Sequence, residues 1–334
     1  MEQIILGDTG RLTTRLGFGC SSLMGASSRR ASLAILESAY DAGIRHFDVA
    51  PAYGYGEAES CLGDFLQRHR DQVTIATKYG IPPAKNSFLM SVGRRIAGPI
   101  AKSFPGLKQR LTSTANTVSH NPERATFTSA QAKASLERSL TALRTDRIDL
   151  WLLHEASAAD LQDHALLNLL EEEVEKNTIG TFGIGSAASK IPALLSERPA
   201  YCHTLQYEWS VLDPIIEAKP LFPQMQFRIH HRALTTNFRS LHRALTHNKA
   251  LCQRWSASTN VDLNNSRDLA RLMLKASLVM NAASVILFSS KDPRHIHSNV
   301  QIARDQSLDN AARQFYELVQ LEHDQLLTNG EGAN

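Results

Sequence analysis

The fold class this sequence predicts is α/β: a single (β/α)8 TIM barrel with an N-terminal β-hairpin and a long insertion after the third strand. Three observations predict it. Eight short apolar runs alternate with amphipathic segments, the order required by parallel strands joined through right-handed helical crossovers. The 334 residues suit one barrel with insertions, although two small domains would also fit that length. Polar residues recur where the second, third and fourth runs end, and a barrel gathers strand ends at one mouth.

From the N-terminus, residues 3–17 alternate apolar and polar on both sides of the turn Gly7-Asp8-Thr9-Gly10, a hairpin pattern. Strands are predicted at 16–20, 45–49, 73–77, 148–153, 180–184, 203–207, 226–230 and 285–288. Helical periodicity occupies 30–42, 57–69, 129–143, 163–177, 190–196, 238–255 and 266–281, with terminal helices at 293–303 and 310–327. Two connections are long. Residues 80–127 are punctuated by Pro and Gly, with a weak helical pattern around 89–100, and 207–225 form a shorter loop. Loops of this length in a compact domain are usually functional or mobile. The barrel is expected over 1–327 as one unit, with 328–334 a disordered tail.

At 43% hydrophobic and 21% charged, the composition is that of a globular chain with material for a large core. The net charge of +3 hides an uneven distribution. Between 80 and 127 seven basic residues, among them Lys85, Arg94, Arg95 and Lys108, face the single acid Glu123. Between 218 and 261 there is no acid at all. Taken alone, either stretch reads as solvated surface; on the loop side of predicted strands, both become a rim that attracts anions. Cys20, Cys61, Cys202 and Cys252 are widely spaced without a CxxC, which fits reduced thiols in a cytoplasmic protein. No signal peptide and no membrane-crossing apolar run is read, and nothing points to nucleic acid. No metal site is expected. His230/His231 and His295/His297 lack acids or cysteines at ligand spacing.

The densest chemistry lies in IRHFDVAPAYGYGEAE, residues 44–59. Asp48 ends the second predicted strand and Tyr53 follows on its loop. Lys78 closes VTIATK, and His154 closes IDLWLLH. Each has a plain structural reading: a capping Asp, a packing Tyr, a snorkelling Lys, a core His. Four such groups at the strand ends of one barrel are harder to assign to packing, because desolvated charges there need a compensating role.

On these residues the chain resembles the aldo-keto reductases. GIRHFDVAPAYGYGEAESCLG follows that family's order of Asp, then Tyr-Gly, then Glu and Leu-Gly. ATK and LLH supply its Lys and His, and LQYEWSVL resembles its Gln-containing sixth strand. The resemblance runs from the hairpin to about Ala303. It implies an oxidoreductase interconverting a carbonyl (aldehyde, ketone or sugar) and the alcohol. Tyr53 would be the general acid/base, Lys78 would stabilise its phenolate, Asp48 would hold Lys78, and His154 would orient the substrate oxygen. Tyr55, two residues on, is the rival phenol; the family spacing favours Tyr53.

Hydride chemistry needs a carrier, and no GxGxxG opens a helix here. The resemblance implies a nicotinamide dinucleotide laid across the barrel mouth, NADP(H) in preference to NAD(H). Gly19 and Cys20 fall at the end of the first strand. Gln206 would meet the carboxamide with Ser186 as a short donor, and the aromatic shelf falls on His230. The adenosine phosphate end falls on Ser289, Ser290, Lys291 and His295, with Asn299 at adenine and Arg294 as a further cation. The resemblance implies a small carbonyl or sugar as substrate, and the basic insertion after Gly80 suggests a polar or anionic one. Two other classes compete: a cofactor-binding regulatory, redox-sensing barrel with weak or no turnover, and a metal-dependent isomerase or hydrolase, which lacks a ligand set.

Overall fold

The computed structural model describes residues 1–25, 27–83, 125–213 and 226–322. An antiparallel hairpin, β1 (Gln3–Ile5) and β2 (Leu12–Thr14), precedes eight parallel strands: β3 (Leu16–Gly19), β4 (His46–Asp48), β5 (Thr74–Tyr79), β6 (Ile148–His154), β7 (Ile179–Gly185), β8 (Thr204–Glu208), β9 (Phe227–His231) and β10 (Ser284–Phe288). They close in the order β10-β3-β4-β5-β6-β7-β8-β9. The expected (β/α)8 barrel with its N-terminal hairpin is the observed fold.

Strand alternation sorts the side chains into two cores. Ala76, Leu150, Leu152, Ile229, Val285 and Leu287 point inward, and Leu6 from the hairpin packs against them at the N-terminal end of the barrel. Ile75, Trp151, Leu153, Leu205 and Tyr207 point outward into the larger core beneath the helices. Around the barrel lie α1 (Arg29–Asp41), α2 (Ala58–His69), α3 (Ser129–Leu143), α4 (His164–Glu175), α5 (Ile191–Glu197), α6 (Thr235–His247), α7 (Lys249–Thr259), α8 (Ser266–Met280), α9 (Pro293–Arg304) and α10 (Asp309–Leu321). Side-chain caps start several of them. Ser28 accepts from Ala31 N, Thr128 from Gln131 N, Asp163 from Ala165 N and Asn265 from Arg267 N, which satisfies amides that have no intrahelical partner.

Two expectations are corrected. The continuous helix at 238–255 is two helices, because Asn248 leaves helical geometry (φ −106°, ψ 84°) and its side chain accepts from Leu251 N at 3.0 Å, capping α7. Both helices carry an apolar face, so periodicity alone reads through the break. The third strand is longer than 73–77 and takes in Lys78 and Tyr79. The last helix is described to Leu321. Residues 84–124 of the basic insertion, with the pattern at 89–100, lie outside the described residues. So do most of the 207–225 loop and the 328–334 tail.

Candidate active site

Asp48, Lys78 and His154 lie on the inward side of β4, β5 and β6 at their C-terminal ends, one layer above Ala76 and Leu152. The Lys78 ammonium, 2% exposed, donates to both Asp48 oxygens at 2.7 Å and to Val49 O at 3.1 Å. Tyr53 enters from the turn after β4. There Gly54 adopts φ 58°, and a Cβ on it would lie 2.6 Å from Leu23 O, so glycine is what lets the chain fold back behind the tyrosine. The Lys78 Nζ lies 5.4 Å from the Tyr53 ring centroid, and the His154 ring meets Tyr53 edge-on at 6.4 Å and 87°. Tyr55, the rival, is 40% exposed.

The charges of this cluster are interdependent. Burial works against the Lys78 ammonium, but Asp48 and Tyr53 overcome it and raise its pKa. The Lys78 charge is the strongest influence on the Tyr53 phenol and pulls it down. Burial together with Asp48 outweighs that pull, so the net shift is upward, opposite to the lowering expected from Lys78 alone. Tyr53 is therefore a protonated donor at neutral pH. His154 is pushed down to about 3, by burial first and by Lys78 second, and is a neutral imidazole; its Nδ1 is buried without a hydrogen-bond partner among the described residues.

These side chains floor a cavity of about 670 Å³, within the usual range for small-molecule sites. Of the other expected contacts, Gly19, Ser186, Gln206, Ser289 and Asn299 reach its wall. Gln206 Nε2 donates to Asp48 Oδ2 at 2.7 Å. Ser186 was expected as a donor, yet its hydroxyl proton goes to Ala156 O at 2.7 Å, so its oxygen faces the cavity as an acceptor. Ser289 Oγ donates to Gly19 O, tying β10 to β3.

Five expected contacts stand off the wall. Cys20 is fully buried, its thiol raised by burial and by Asp48. Ser290 closes a turn with Asp292, and Lys291 and His295 are exposed beyond the cavity. His230 is the clearest correction. It is fully buried on the outer face of β9, with its ring 4.7 Å from Tyr207 and 5.7 Å from Trp209. The ring that lines the cavity is His231. Ile229 faces inward, so period-two alternation carries His231 inward too; that signal was present in the sequence once the phase was known. Glu155 and Arg232 also reach the wall, both at positive φ (61° and 60°). Glu155 is held by Lys190 at 3.0 Å. Their position directly after His154 and His231 is the trace the sequence carried.

Among the described residues no cluster of three or more His, Cys, Asp or Glu is disposed for a metal, and no helix is long and apolar enough to cross a membrane. Solved structures share the fold. An aldo-keto reductase from Bacillus halodurans in its holo form superposes with a TM-score of 0.63 at 19% identity, over 94% of this chain and 96% of that one. One from Klebsiella pneumoniae in complex with NADPH gives 0.60 at 18%, over 95% and 96%. In sequence, the chain is 34% identical over 185 residues to a D-threo-aldose 1-dehydrogenase from Pseudomonas sp, covering 52% of this chain and 50% of that protein. It is 45% identical over 82 residues to a pyridoxal 4-dehydrogenase from Microbacterium luteolum, 24% of each. These matches thus span half or less of the length of those relatives. The model of the Aldo/keto reductase family matches residues 15–311. With the barrel and the strand-end cluster, that match places the chain in the aldo/keto reductase family.

Proposed function

We propose that this chain is an NADP(H)-dependent oxidoreductase that interconverts a carbonyl and its alcohol, with Tyr53 as general acid/base. The observation that carries the reading is the convergence of Asp48, Lys78, Tyr53 and His154 on one cavity floor, with the lysine charge gripped by both aspartate oxygens. A reduced nicotinamide supplies the hydride when bound. The wall fits such a group: Ser186 Oγ and Gln206 Oε1 are acceptors for an amide N–H2, the His231 ring offers a flat face, and Gly19 keeps the β3 edge low.

Tyr53, protonated in its buried setting, gives its proton to the carbonyl oxygen as negative charge develops there. Lys78 then stabilises the phenolate, and Asp48 keeps the ammonium charged in a site where burial opposes it. His154, held neutral, donates a hydrogen bond without giving up a full charge, and so orients the substrate oxygen. Removing the acid should cost about 10²–10⁴ in turnover.

NADP(H) rather than NAD(H) is proposed because Lys291 is exposed just before α9, two residues after the wall residue Ser289, and has no ion-pair partner among the described residues. Arg294 is the weaker candidate, since Asp292 already pairs with it at 2.7 Å. The substrate class proposed is a polar carbonyl or sugar, in line with the aldose dehydrogenase among the relatives and with Arg232 and Glu155 at the wall. Fluorescence titration with NADPH and NADH, followed by turnover on a panel of aldehydes, ketones and aldoses, tests the reading. Tight NADPH binding with oxidation by a panel member supports it, and binding without any turnover would favour the regulatory barrel instead.

A further inference from the structure

Gln206 and Asp48 stand on strands that face each other across the barrel, since β4 and β8 are four places apart in the closed ring of eight. The 2.7 Å bond from Gln206 Nε2 to Asp48 Oδ2 is therefore a crossbar spanning the barrel just under the cavity. Both residues are buried, at 2% and 3% exposure. A carboxylate accepts only, so the amide nitrogen has to face Asp48 and the amide oxygen is turned to the other side. No donor reaches that oxygen among the described residues, and Gln206 lines the cavity.

We propose that Gln206 is a positioning residue that couples cofactor engagement to proton transfer: its N–H2 end holds Asp48, and its carbonyl end takes an amide donor of the bound nicotinamide. The proposal rests on the nicotinamide reading above. A hydrogen bond donated to Oε1 polarises the amide and makes Nε2–H a stronger donor. Charge on Asp48 is then drawn toward Gln206 and away from Lys78, so less of the ammonium's pull on Tyr53 is cancelled. The groups that face Tyr53 are Lys78 from β5, Asp48 from β4, Cys20 from the turn after β3 and His154 from β6. Asp48 further acts on His46 and His231. Of these, Lys78 is the strongest influence on the phenol and Asp48 its counterweight. Gln206 thus touches the balance at the point where a small change in charge moves Tyr53 most. The carboxamide contact becomes a signal: the proton donor is tuned when the hydride source is in place.

The test follows the Tyr53 phenol by spectrophotometric pH titration, taken as wild type minus Tyr53→Phe, with and without saturating NADPH. In wild type the Tyr53 transition should move down by about one pH unit on adding cofactor, on the order of tenfold in acidity. Gln206→Met should lose that movement. Ser186→Ala, whose hydroxyl bonds Ala156 and not Asp48, should bind NADPH more weakly yet keep the movement at saturation. Gln206→Asn, one methylene shorter and still polar, serves if the methionine variant does not fold, and should also lose it. An undiminished shift in either Gln206 variant overturns the proposal, as does its loss in Ser186→Ala. Wild type that binds NADPH with no shift overturns the coupling alone, whereas wild type that binds neither NADPH nor NADH removes the cofactor reading with it.

Discussion

His230 and His231 are adjacent in sequence and face opposite sides of β9. His230 packs between Tyr207 and Trp209 with no exposed surface, and His231 lines the cavity at the barrel mouth beside the inward Ile229 layer. The two should therefore separate binding from stability. His231→Ala is expected to weaken NADPH binding several-fold with little change in unfolding free energy. His230→Ala should leave the affinity of the folded protein near wild type and cost about 2–4 kcal/mol in urea unfolding, the scale of a large-to-small change in a packed core. A fluorescence titration and a urea curve on each variant decide it.

Tyr53 and Tyr55 make a second contrast. Tyr53→Phe should lower turnover by about 10²–10⁴ with cofactor affinity retained, while Tyr55→Phe, on a ring 40% exposed, should keep turnover. Steady-state kinetics on both variants reverses the assignment of the acid if the losses are exchanged.

The buried ion pair predicts a joint effect on folding and activity. Lys78→Met leaves Asp48 with Gln206 as its remaining side-chain donor among the described residues. Breaking a buried pair by removing one partner typically costs about 3–5 kcal/mol. Thermal unfolding should show that loss together with a turnover below that of Ser186→Ala. Full activity in Lys78→Met would remove lysine from the mechanism.

Lys291 tests cofactor choice. Lys291→Ala should raise KM for NADPH while leaving KM for NADH nearly unchanged, because a 2′-phosphate is the difference between them. Equal effects on both cofactors would place Lys291 away from that phosphate.

Stability should fall in acid through buried imidazoles. His46, fully buried on β4 and bonded to Thr74 Oγ1 at 3.1 Å, is pushed down to about 4 by burial foremost. Its folded value lies below its ordinary one of 6.5, so between those values the unfolded chain binds the extra proton. Stability from this group is thus complete above 6.5 and is lost as pH falls toward 4, about 3 kcal/mol in all. His154 and His230, both pushed down to about 3, add to the same trend. Urea unfolding between pH 4 and 7 should show stability rising with pH, and His46→Asn should reduce the slope near pH 5 by about 1.4 kcal/mol per pH unit. An unchanged slope would mean His46 protonates in the folded state without penalty.

The sequence by itself determined the barrel and the side chains on the floor of its cavity. Strand–helix alternation leaves few ways to close a parallel sheet, and Asp48, Lys78 and His154 are all written at strand ends, which the barrel must bring to one mouth. Their identities follow from local order: an apolar run that stops at an ionisable residue marks where the wall ends and the cavity begins. Tertiary structure decided matters of phase and reach. Period two says that neighbours alternate, but which of His230 and His231 faces inward depends on the pairing of β9 with β8 and β10. Helical periodicity runs through Asn248, and the break is set by a side chain turning back onto Leu251 N. The distance of Lys291 and His295 from the cavity, and the proton of Ser186 committed to Ala156, depend on how loops pack. The Gln206–Asp48 crossbar joins residues 158 apart in the chain, and no local pattern encodes a contact that exists because eight strands close into a ring.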